Sequence, residues 1–68
     1  MAGIRIDRMK VMVLLAEMGM TQTELGERSG ISRQSISTIL TRGTCEQKTA
    51  GKLAKGLGVK IKEIVKEE

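Results

Sequence analysis

Apolar residues recur along this chain at three- and four-residue spacing. They fall at Val11, Leu14, Leu15 and Met18, at Leu25, then at Ile36, Ile39 and Leu40, at Leu53, Ala54 and Leu57, and at Val59, Ile61, Ile64 and Val65. That period puts each group on one side of a helix, turned toward a common core. It predicts helices over about 5–18, 21–29, 32–42, 45–57 and 60–66. Strand-like alternation is weak, no proline interrupts a segment, and Gly19, Gly30, Gly43 and Gly58 divide the chain into helix-sized pieces. Glycine is the preferred residue just past a helix end, so these positions read as stops.

Helix-start signals follow the stops. Thr21-Gln22-Thr23-Glu24 has the form of a capping box, with Met20 and Leu25 placed as its hydrophobic staple. Ser32 is a second N-cap, framed by Ile31 and Ile36, and Thr44 with Gln47 makes a third start. Only Gly30, Ile31 and Ser32 separate the second helix from the third. So short a turn forbids an antiparallel pair, and the two helices must cross steeply as a helix-turn-helix over about 21–42. The backbones then come close, and Gly26, one turn before Gly30, supplies the room despite costing about 1 kcal/mol inside a helix. The reading is an all-α fold of five helices in one domain, 1–68.

Composition narrows the chemistry. Sixty-eight residues bury a single modest core. The chain has one cysteine and no histidine, so an internal disulfide and the usual metal sets are both excluded. It has no aromatic residue, so aliphatics and five methionines fill the interior, a weakly specifying mixture that oligomeric support would help. Cys45 has no activating partner in sequence and reads as a surface or helix-start thiol rather than a redox sensor. With one aspartate, no histidine and no phosphate-binding Gly-Lys loop, no catalytic residue, cofactor or small-molecule ligand is indicated. The longest apolar run, Val11 to Ala16, is far short of the roughly 20 residues that span a bilayer, so a cytoplasmic, non-membrane protein is expected.

Charge is unevenly spread. The net charge is +4, but residues 28–62 hold eight basic side chains against the single acid Glu46, a local balance of +7, while both flanks are slightly acidic. A basic middle of this kind suits a polyanion, because phosphate contacts supply much of the affinity for nucleic acid.

Several motifs together resemble the Cro/C1-type (XRE-like) helix-turn-helix family. The family's Thr-Gln opening stands here as Thr21-Gln22, its Glu-Leu as Glu24-Leu25, and its Ser-Arg-X-X-Ile as Ser32-Arg33-Gln34-Ser35-Ile36. Its tail stands as Leu53-Ala54-Lys55-Gly56-Leu57-Gly58-Val59, and the likeness runs from about Ile6 to Val65. There are departures. The recognition helix ends one residue later, in Ile39-Leu40-Thr41-Arg42-Gly43. Leu15 replaces a frequent basic residue. Ala50 and Gly51 stand where larger apolar residues are usual, so the fourth helix is expected to pack loosely.

The resemblance implies a compact five-helix, lambda-repressor-like DNA-binding domain, and the residues can be assigned accordingly. With Ile36, Ile39 and Leu40 inward, Gln34, Ser37, Thr38 and Thr41 face outward and Arg33 sits at the helix tip, where they would meet base edges. Arg pairs with guanine O6 and N7, Gln with adenine N6 and N7, and Ser or Thr with several edges or a thymine methyl. Thr21 and Gln22, at a helix N-terminus, together with Ser32, Ser35, Lys10, Arg42, Thr44 and Lys48, are candidates for phosphate. One recognition helix reads few base pairs, so a homodimer on an inverted-repeat operator in double-stranded DNA is expected, with half-sites about 34 Å apart. Ile61, Ile64 and Val65 are candidates for the dimer surface, and Met9, Met12 and Val13 form another apolar patch. The expected function is sequence-specific transcription regulation, as a repressor. The competing reading is a protein-interaction module, such as an antitoxin or a coactivator-like adaptor, built on the same fold.

Overall fold

Ile4-Arg5-Ile6 alternates half-buried, exposed and buried, and in the computed structural model, which describes residues 3–66, this segment is extended. Strand β1, Ile4–Arg5, pairs antiparallel with β2, Thr44–Cys45, in the register Ile4 to Cys45 and Arg5 to Thr44. Ile6 forms an isolated antiparallel bridge with Val65, and Asp7 N–H donates to the Ile64 carbonyl at 2.8 Å. The N-terminal segment is thus held between two distant parts of the chain. Helix α1 therefore spans Arg8–Met18 and does not begin at residue 5; Asp7 caps it by accepting from Lys10 N–H at 3.2 Å.

Three more helices follow, α2 over Gln22–Ser29, α3 over Arg33–Arg42 and α4 over Gln47–Leu57, and then a single 3-10 turn over Ile61–Glu63. The expected fifth helix is that turn alone, so among the described residues the fold has four helices, a 3-10 turn and a two-stranded sheet, where five helices were expected. The reason is local. Val65 leaves the helical path to bridge Ile6, and Lys66 N–H donates to the Arg5 carbonyl at 2.8 Å, so backbone groups that would extend the helix are taken by the N-terminal segment. Likewise Thr44 belongs to β2 and does not cap α4, whose N-cap is Glu46 without a side-chain bond. Residues 1, 2, 67 and 68 of the expected 1–68 domain lie outside the described residues.

The core joins Val11 and Leu15 of α1, Leu25 of α2, Ile36, Ile39 and Leu40 of α3, and Ala50, Leu53, Ala54 and Leu57 of α4 to Ile6, Ile31 and Ile64. Met18, expected inside, is exposed; Ile61 is too, while Leu14 and Val59 are half-buried. Ile64 is completely buried within its own chain, which removes it from the expected dimer surface, and Val65 is half-buried beside it. Ala50 is also completely buried, so α4 is closely packed at the position where looseness was expected.

Two close approaches set the helix arrangement. A Cβ on Gly26 would lie 2.7 Å from the Ile31 carbonyl oxygen, so only glycine lets the turn fold back onto α2. A Cβ on Gly56 would lie 2.8 Å from Ser29 Cβ, where α2 and α4 make the most extensive helix contact of the fold. α2 is thus fixed on both sides, and it holds α3 at the surface.

Candidate nucleic-acid interface

α3 begins at Ser32, whose hydroxyl accepts from Ser35 N–H at 3.1 Å and donates to Ser35 Oγ at 2.9 Å. The helix then divides cleanly: Ile36, Ile39 and Leu40 are buried, and Arg33, Gln34, Ser37, Thr38 and Thr41 are all exposed. A polar ridge results, carried on an apolar base. Thr38 Oγ1 donates to the Gln34 carbonyl at 3.0 Å, so its hydroxyl hydrogen is occupied and what it offers outward is lone pairs and a methyl group.

On one side of the ridge lies a groove of about 450 Å³ lined by Gln34, Ser35, Thr38, Arg42, Thr44 and Thr49. It brings Arg42 and Thr44, both expected at phosphate, alongside Gln34 and Thr38. Thr49 joins them although nothing in the sequence marked it, because only the packing of β2 and α4 beside α3 places it there. On the other side a small cleft is lined by Gln22, Ser37 and Thr41 together with Arg8 and Met12 of α1. Arg8 is a basic residue that the sequence reading missed. The available signal was its position two turns before Leu15, on the strip of α1 where the family tends to be basic.

The remaining phosphate candidates divide. Thr21 is committed to its capping box: its hydroxyl accepts from Glu24 N–H at 3.1 Å, and its own N–H donates to Glu24 Oε1 at 2.9 Å. It orients the start of α2, where the unpaired amides of a helix N-terminus attract phosphate, with Gln22 half-buried as the first helical residue. Lys48 is exposed on the first turn of α4 but does not line the groove. Lys10 is not brought to the ridge. Its Nζ donates to the Val65 carbonyl at 3.3 Å, and it lines a different cleft with Val13, Leu14 and Glu63.

Cys45 lies half-buried on β2 rather than at a helix start. Burial, and secondarily the Glu46 carboxylate, push its thiol above the ordinary thiol range, which keeps it protonated and unreactive at neutral pH. Among the described residues no helix is long and apolar enough to cross a membrane.

A short turn between two helices, a glycine at their contact and a polar ridge on the second define a helix-turn-helix domain. The helix-turn-helix family model matches residues 11–64, and the chain belongs to that family, in its Cro/C1-type, XRE-like form. Members are DNA-binding regulatory domains rather than enzymes. Comparison with curated proteins and with solved structures gives no match.

Proposed function

We propose that this chain is a single-domain, sequence-specific regulator that binds double-stranded DNA, lays α3 in the major groove, and represses transcription by occupying an inverted-repeat operator as a homodimer. The observation that carries the reading is the division of α3. Five polar side chains suited to base edges, Arg33, Gln34, Ser37, Thr38 and Thr41, stand exposed on one side, while every aliphatic residue of that helix is buried on the other. Arg8, Arg42 and Thr44 flank that ridge and are assigned to phosphate. Their role is to fix the register in which the ridge meets the bases. The basic balance of residues 28–62 supports the same partner.

Selection from random duplexes tests this. The expected result is an enriched inverted repeat whose binding weakens by roughly 1–3 kcal/mol on Arg33→Ala and again on Gln34→Ala. A reporter placed behind that sequence is expected to fall in output when the protein is expressed. Equal, salt-sensitive binding to all sequences would overturn the reading and return the fold to use as a protein-interaction module.

A further inference from the structure

α1 is apolar on both sides. Val11 and Leu15 are buried in the core, yet Met9, Met12, Val13 and Ala16 are exposed on the opposite side. Met9 is 70 % exposed, more than any other large apolar side chain among the described residues. The four residues follow i, i+3, i+4, i+7 spacing and so form one continuous stripe, the pattern of a helix-pairing seam. By the same periodicity Lys10 and Glu17 lie along one edge of the stripe and Arg8 along the other.

We infer that this stripe packs against the same stripe of a second copy, with the two α1 helices antiparallel about a two-fold axis that crosses them between Met12 and Val13. The inference rests on the homodimeric reading above and names its surface. In this register Met9 meets Ala16 of the partner subunit and Met12 meets Val13 of the partner subunit, so a large side chain faces a small one in each outer layer. On one edge Lys10 lies beside Glu17 of the partner subunit, and symmetry repeats the pair. Lys10 can serve both contacts, since an ammonium has three donors and the Val65 carbonyl takes one. On the other edge the two Arg8 side chains are about nine residues apart along the axis, roughly 13 Å, which is beyond effective repulsion at physiological salt. Opposite charges meet and like charges do not. That complementarity selects a second copy of this chain as the occupant.

The symmetry has a further consequence. A two-fold axis lying in the contact plane carries each edge of the stripe onto the same edge of its partner. The Arg8 edge is the one that borders the cleft with Gln22, Ser37 and Thr41. Both recognition ridges are therefore turned toward the same side of the dimer, as a single duplex with two half-sites requires.

Sedimentation equilibrium of the full chain tests the surface. The expected wild-type mass is twice 7.4 kDa at high concentration. Val13→Glu is expected to return the mass to that of one chain while leaving helical content and cooperative melting intact, because Val13 is already exposed in the subunit. Lys10→Glu and Glu17→Lys are each expected to weaken association by on the order of tenfold, and the two together to restore it. A wild type that stays at 7.4 kDa throughout, or a dimer indifferent to Val13→Glu and to both charge reversals, overturns the inference. The second of these results leaves the DNA reading standing on a different dimer surface. A dimer dissociated by Val13→Glu but with no preferred DNA sequence supports the surface and defeats the DNA reading instead.

Discussion

Glycine at three helical positions does three different things. Gly26 and Gly56 are each held where a methyl group would strike a neighbour, the Ile31 carbonyl in one case and Ser29 in the other. Alanine at either position forces packed helices apart and is expected to cost about 1–3 kcal/mol, read as a lower denaturation midpoint. Gly51 is also inside a helix, but its nearest neighbour is the Ile61 Cδ1 at 4.0 Å, an ordinary contact. Gly51→Ala is therefore expected to raise stability by about 0.5–1 kcal/mol by relieving the entropy cost of a helical glycine. A stabilising Gly26→Ala would show that the turn does not fold back onto α2 as described. Gly26 could be read from sequence because the residues it must admit lie within one motif, whereas Gly56 could not, because Ser29 comes from a different helix far along the chain.

At the scale of elements, the best-defined boundaries are those built from neighbouring residues. Thr21 and Glu24 form both bonds of the capping box, Ser32 caps α3, and the four glycines named as stops occupy the C-cap positions of the four helices with left-handed backbone. Thr21→Ala is expected to cost about 1 kcal/mol in urea denaturation, since it leaves Glu24 N–H without its cap at the end of the helix that holds α3 in place. An unchanged midpoint would show that packing alone fixes the start of α2. Boundaries made by distant partners read poorly. Residues 5–7 look helical until Thr44, Cys45 and Val65 are found beside them, and Thr44 looks like a cap until Arg5 pairs with it. A two-residue strand has too little alternation to announce itself, and its backbone bonds depend on a partner the local pattern does not contain.

For the whole molecule the decisive property is where charge lies relative to the ridge. Arg42 borders the groove next to Gln34 and Thr38, and in the proposed complex it meets phosphate rather than a base. Arg42→Ala is then expected to weaken binding to all sequences about equally and to make the plot of log affinity against log salt shallower by about 0.9, the slope of one phosphate contact. Titrations at several salt concentrations measure this, and an unchanged slope would remove Arg42 from the phosphate set. Lys10 provides the contrast: equally basic in the sequence, it is turned to the Val65 carbonyl on another face. Arg8, which the sequence reading passed over, is the α1 residue that tertiary packing brings beside Gln22 and Thr41.

The sequence by itself determined the helix-turn-helix, its capping boxes, its glycine stops and the polar ridge of α3, because each depends on residues within a few turns of one another and on the period of a helix. Tertiary structure decided which cations share a face with that ridge, that Ile64 is used up in the chain's own core while Met9, Met12 and Val13 are left outside, and that the chain ends in a single turn and a bridge rather than a fifth helix. Those outcomes depend on pairings across the whole length of the chain. Side-chain periodicity says which way a residue faces on its own helix, and only packing says what stands opposite.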